Sequence, residues 1–251
     1  MNWVRKSLIA IFGVLLIGGI VSNSGESDLS VLREFGEQVF LWVAAAVILV
    51  HWQPAYRSLL VGAVVGFMSE IVGVATGIPF GRYHYTATLG VAVADVPLVM
   101  VAAWFVLLSY AWSIASALVQ HRWLVRLLVA VLMTSFDLLV DPVAIGPMRL
   151  WEWEQSGPYY GIPLQNFLGW FIVSLLASLP IRAERTLSAA PHVVGVAVIA
   201  FFTAIAVREG LSLAAAVGVV LLALDGILAR RQWLQYFALQ NRITTVLQRF
   251  Q

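Results

Sequence analysis

The 251-residue chain contains no cysteine, which rules out a disulfide framework, a thiolate nucleophile and any thiolate-ligated metal. Charge is scarce too. Asp, Glu, Lys and Arg make up 11% of the residues, less than half of the roughly 25% found in a soluble domain. Such a chain cannot cover a water-facing surface. The histidines, His51, His84, His121 and His192, are scattered without paired metal-ligand spacing, so no histidine metal centre is expected. Phosphate-binding loops, Gly-x-Ser-x-Gly elbows and dinucleotide fingerprints are missing as well. The basic residues form no dense cluster before the end of the chain, so the net charge of +2 does not point to nucleic acid.

Apolar residues are what the chain has in abundance: 61% of the total, with a mean hydropathy of +0.90. A spanning helix needs about 20 mostly apolar residues. Eight runs qualify, over residues 3–21, 35–50, 57–76, 97–119, 124–142, 164–181, 191–207 and 211–229. The expected fold is therefore an all-α, polytopic transmembrane bundle of about eight helices. It forms a single domain over residues 1–229, with no sheet in the bilayer. If the N-terminus lies inside, eleven of the 15 Lys and Arg fall on the cytoplasmic side and only Arg33, Arg82, Arg149 and Arg208 on the outer side. That agrees with the positive-inside tendency. The expectation is a multi-pass protein of the cell membrane with both termini cytoplasmic.

Three local features complete the outline. Arg5 and Lys6 before the first apolar run would also suit a signal peptide, which would leave seven helices. However, Ser22-Asn23-Ser24 lacks an Ala-x-Ala-like cleavage site, which favours a retained helix. The tail, residues 230–251, mixes Arg230, Arg231, Arg242 and Arg249 with Trp233, Tyr236, Phe237, Leu239, Ile243 and Leu247. It reads either as a basic amphipathic helix on the cytoplasmic leaflet or as a plain polar end. Gly62 and Gly66, then Gly73 and Gly77, stand four apart in the third run, a spacing that lets helix backbones approach closely in lipid.

The acids inside the apolar runs are the informative residues. Glu70 lies in the third, Asp95 at the start of the fourth, and Asp137 and Asp141 in the fifth. A charged side chain at mid-bilayer costs about 2.5–3.5 kcal/mol on insertion scales, so such groups face protein or water and usually have a task. Asp137 and Asp141, four apart, share one helix face. Two like charges this close resist ionising together, so the pair can hold a proton near neutral pH. A protonated carboxyl in an apolar site is what a general acid requires. The other reading is that the pair caps Arg82 or Arg149. Asp225, near the cytoplasmic end of the last run, either reaches the interface or pairs with Arg230 or Arg231.

Two loops beside these acids carry an unusual concentration of aromatics. One holds Phe80, Arg82, Tyr83, His84 and Tyr85. The other holds Trp151, Trp153, Tyr159 and Tyr160, followed by Asn166 and Trp170. Interfacial belts account for isolated Trp and Tyr, but less well for this density interleaved with Gly, Pro and Asn. Aromatic faces stabilise cations. Acid and aromatic walls in an apolar cavity suit protonation of an alkene.

The pattern Glu70-x2-Gly73-x3-Gly77-x-Pro79-Phe80-Gly81-x-Tyr83-x-Tyr85 comes first. Asp137-x3-Asp141-Pro142 and Trp151-x-Trp153 follow, then Tyr159-Tyr160-Gly161-x-Pro163-x2-Asn166-x2-Gly169-Trp170. In this order the segments resemble the integral membrane carotenoid hydratases, which add water to the end groups of acyclic or monocyclic carotenoids. The resemblance covers about residues 62–170, with the flanking helices alike in hydropathy alone. Asp95 departs from the family, where a small residue stands before Val96-Pro97. The resemblance implies a cofactor-independent hydration of a carotenoid lying in membrane lipid, other carotenoid-pathway enzymes being possible partners. Glu70, Asp137, Asp141 and Asp95 are then the candidate acids. Phe80, Arg82, Tyr83, Tyr85, Trp151, Trp153, Tyr159, Tyr160, Asn166 and Trp170 are the candidate substrate contacts, and no metal is implied.

Two alternatives come from other classes. A proton-coupled transporter would also bury acids, but it would show discontinuous helices or an inverted repeat, and neither is clear. A non-catalytic assembly subunit of carotenoid enzymes would tolerate carboxyl-to-amide changes. The Asp137/Asp141 spacing faintly resembles membrane prenyltransferases, which carry richer acidic motifs on two helices.

Overall fold

The computed structural model describes residues 2–22, 30–51, 55–181, 189–228 and 230. The tail beyond Arg230, with Arg231, Arg242 and Arg249, lies outside the described residues. Among the described residues, eight α-helices follow the eight apolar runs: α1 (Asn2–Ser22), α2 (Ser30–Leu49), α3 (Ala55–Thr76), α4 (Val99–Leu118), α5 (Arg122–Ile145), α6 (Leu164–Ser178) and α7 (Ala189–Arg208), and α8 (Ser212–Leu228). Five of them, α1, α3, α4, α5 and α7, are long and apolar enough to cross a membrane. The protein is an all-α membrane protein.

Each helix shows which way it faces. On α3, Val61, Val64, Met68 and Val72 are exposed, whereas Leu59, Ala63, Phe67 and Glu70 are buried. Both stripes recur every three or four residues, as one face of a helix must. Here the outward stripe is apolar, which suits a lipid surround. Helix α4 differs, being buried on nearly every side from Val99 to Ala115. It contacts α2, α3, α5 and α7 and so forms the centre of the bundle.

Glycine sets the closest approaches. A Cβ on Gly62 would meet the carbonyl oxygen of Ala177 on α6, and one on Gly66 would run into the Trp104 ring on α4. The four-residue spacing thus does what small residues do between helices in lipid. Gly77, at φ 77°, donates its N–H to Gly73 O at 2.7 Å and ends α3 in the left-handed conformation.

The loops at one end carry two short antiparallel ribbons that the hydropathy pattern does not show. β1 (Tyr83–Tyr85) pairs with β4 (Trp151–Trp153), and β2 (Ala92–Val93) pairs with β3 (Val96–Pro97). The β1–β4 register sets Tyr83 opposite Trp153, His84 opposite Glu152 and Tyr85 opposite Trp151. Strand side chains alternate between faces. The four aromatics therefore turn inward, while His84 and Glu152 lie exposed, 3.6 Å apart. The ribbon ties the α3–α4 loop to the α5–α6 loop directly above the buried acids.

Candidate active site

Glu70 rises from the last turns of α3 under this ribbon and is 4% exposed. Its Oε2 accepts hydrogen bonds from the Tyr83 and Tyr85 hydroxyls, the latter at 3.1 Å, and its Oε1 accepts one from Trp104 Nε1 at 3.1 Å. Burial, together with the Glu70 carboxyl beside them, pushes both phenols well above the ordinary tyrosine range. They remain protonated donors at any physiological pH.

Asp137 and Asp141 come up from α5, 3% and 1% exposed. Trp151 Nε1 donates to Asp141 Oδ1 at 2.7 Å, and Trp153 Nε1 reaches the same oxygen at 3.4 Å. The Asn166 amide, in the first turn of α6, bridges the pair. Its Nδ2 donates to Asp137 Oδ2 at 2.6 Å and to Asp141 Oδ2 at 2.9 Å. Among the described residues neither aspartate pairs with Arg82 or Arg149, both of which are exposed. The arginine-capping alternative is therefore not what the structure shows.

The three carboxyls, Tyr83, Tyr85, Trp151, Trp153, Asn166, Phe80, Trp170 and Met100 line a cavity of about 20 Å³. A water needs roughly 10–15 Å³ and two to four polar partners, so this space suits one water. An apolar chamber of about 70 Å³ adjoins it, lined by Leu41, Leu89, Ala103, Trp104, Leu107, Val140 and Leu150. Met100, Asp137, Trp151 and Trp170 border both spaces. Trp170 stacks on Trp104 with ring centroids 4.6 Å apart and planes 10° apart, and Phe80 sits 6.2 Å from Trp170.

Some of the residues singled out in the sequence lie elsewhere. Asp95 is exposed at the tip of the β2–β3 hairpin, at φ 62°. Arg82 is exposed, and its carbonyl accepts from Glu154 N at 3.0 Å. The Tyr160 hydroxyl accepts from Leu213 N at 2.9 Å, fastening the α5–α6 loop to α8. Tyr159 has a different task. Pro142 inside α5 has no N–H to offer the carbonyl four residues back. That carbonyl, Leu138 O, instead accepts the Tyr159 hydroxyl at 2.8 Å. Burial, with Tyr160 beside it, pushes the Tyr159 phenol up to about 12, so it stays a donor.

Sequence reasoning missed Trp104 and Met100. Trp104 was detectable: an indole N–H inside an apolar span needs an acceptor, and Glu70 on the neighbouring helix is one. Asp225 also departs from expectation. It is buried, accepts from the Tyr110 hydroxyl at 3.1 Å and lies 3.2 Å from His192 Nε2.

Residues 36–225 match the sequence profile of a protein family described as carotenoid biosynthesis protein. The bisanhydrobacterioruberin hydratase of Haloarcula japonica is 36% identical over 115 residues, which cover 44% of this chain and 39% of that protein. The chain thus aligns with well under half the length of this curated relative. No solved structure matches the chain.

Proposed function

The chain belongs to the carotenoid biosynthesis protein family, and on that premise we propose that it is a carotenoid hydratase. It adds water across the terminal C=C of an acyclic or monocyclic carotenoid. One observation carries the reading: a one-water cavity walled by Glu70, Asp137 and Asp141 opens beside an apolar chamber. Hydration needs a proton source, a wall that tolerates positive charge, and water at the same place. The carboxyls supply the first. Trp104, Trp151, Trp153, Trp170, Tyr83 and Tyr85 present aromatic rings toward a cation formed between them. The chamber is about half the size of the roughly 150 Å³ cavity that holds benzene, which favours a terminal isopropylidene over a ring.

Protonation at the less substituted carbon gives a tertiary cation, and capture by water gives a tertiary alcohol. The cycle calls for no cofactor, and the enzyme is a hydro-lyase. The polyene lies along the helices in lipid, so that only the substrate's end enters. On this reading the acids lie in the outer half of the cell membrane and both termini in the cytoplasm, which the positive-inside count supports. Residues 1–229 form the spanning domain and residues 230–251 a basic cytoplasmic tail.

The test is expression in a cell that accumulates an acyclic carotenoid, with mass spectrometry of the extracted pigments. A new pigment heavier by one water supports the reading. No such pigment from any of several acyclic substrates, with the protein present in the membrane, contradicts it.

A further inference from the structure

We propose a division of labour among the three buried acids, resting on the hydratase reading. Asp137 protonates the substrate's double bond, and Asp141 takes the proton that the incoming water releases.

Two independent observations support this. The first is position. Of these two spaces Glu70 and Asp141 line the small polar cavity, whereas Asp137 lines both that cavity and the apolar chamber. An alkene end seated in the chamber therefore meets Asp137, and a water in the polar cavity meets Asp141 and Glu70. The second is the inventory of donors. Glu70 accepts from Tyr83, Tyr85 and Trp104. Asp141 accepts from Trp151, Trp153 and Asn166. Among the described residues Asp137 accepts from Asn166 alone. An ionised carboxylate is acceptor-only and offers about four sites, so several aimed donors favour the charged form. With Asn166 on its Oδ2, Asp137 keeps Oδ1 for a proton. Position and hydrogen bonding thus select the same residue as the acid.

The step balances. The proton on Asp137 moves to the less substituted alkene carbon, and the π pair becomes the new C–H bond. The cation left at the disubstituted carbon is captured by the water oxygen, forming the C–O bond. The proton that this oxygen sheds passes to Asp141. Asn166 Nδ2 lies 2.6 Å from one carboxyl and 2.9 Å from the other and so keeps them together while the proton returns to Asp137. One water has been added, and both acids are restored.

Deuterium separates the two roles. In membranes suspended in D2O, reversible protonation exchanges deuterium into recovered, unhydrated carotenoid, whether or not water captures the cation. Asp137→Asn is expected to lower both exchange and hydration by about 10²–10⁴-fold, the usual contribution of a general acid. Asp141→Asn, an equally isosteric change, is expected to lower hydration while exchange continues. Ala103→Leu fills part of the chamber without touching an acid and is expected to slow both reactions together. Exchange surviving in Asp137→Asn would overturn the assignment. So would exchange lost in Asp141→Asn at wild-type membrane abundance, or unchanged hydration in Ala103→Leu. Wild-type protein that forms no alcohol would instead contradict the hydratase reading itself.

Discussion

Two buried polar clusters lie within the bundle, and they differ in balance. At the ribbon end three carboxyls share a cavity with one amide and a ring of aromatics. In the other cluster a single carboxyl, Asp225, is matched by the Tyr110 hydroxyl and the His192 ring. Tyr110 stacks on Phe136 at 5.3 Å, and Gly195 closes against its ring, leaving no room for a Cβ. The second cluster has its acid matched and buried, with His192 partly exposed, as a structural tie between α4, α7 and α8 should be. The first holds more acid than a tie needs and encloses space for water. On the proposed hydratase reading, the excess of carboxyl beside a cavity serves chemistry, and the matched carboxyl serves architecture.

Substitutions can break this contrast. Asp225→Ala leaves the buried Tyr110 hydroxyl without its acceptor and is expected to lower stability by about 1–3 kcal/mol. Thermal unfolding in detergent would detect this, while turnover per folded molecule stays unchanged. Asp137→Asn should do the reverse, keeping the melting point and losing turnover. Trp104→Phe keeps the stack on Trp170 but deprives Glu70 Oε1 of its indole donor. A hydrogen bond to a charged group contributes about 1.5–3 kcal/mol, and the loss should appear as roughly a tenfold or greater fall in kcat/KM.

Tyr159→Phe leaves Leu138 O unsatisfied beside Pro142. An orphaned buried acceptor costs about 1–3 kcal/mol, and here it falls on stability more than on turnover. The smallest effect belongs to the exposed His84–Glu152 pair on the outer face of the ribbon. His84→Ala should shift stability by no more than about 0.5 kcal/mol and leave pigment yield unchanged. A large loss there would mean that the outer face of the ribbon takes part in function.

The helices were legible because lipid imposes one rule, a sustained apolar run, and each run became a helix. Their ends were less so. Helix α5 continues past Pro142 to Ile145 because Tyr159, distant in sequence, supplies the missing donor. Helix α6 stops at Ser178 and spans 15 residues, about 22 Å at 1.5 Å per residue, short of the roughly 30 Å hydrocarbon core. The acids Glu70, Asp137 and Asp141 could be picked out because burying charge in lipid demands a reason, and the Tyr-x-Tyr and Trp-x-Trp spacings already encode one inward face. Asp95 and Arg82 were drawn in by nearness along the chain, but a hairpin turn and a strand's flank carry them outward. Asp225 could not be matched with Tyr110 and His192 from sequence, because the three lie on different helices with no shared local pattern.

The central claim is that water is the co-substrate at the ribbon-end acid cluster, and heavy-oxygen water tests it most directly. Membranes containing the protein would be supplied with an acyclic carotenoid in H2¹⁸O and the product analysed by mass spectrometry. The account predicts a tertiary alcohol whose hydroxyl carries the heavy oxygen in wild type and is lost in Asp137→Asn. A product oxygen drawn from elsewhere, or a labelled alcohol formed equally well by Asp137→Asn, would contradict it.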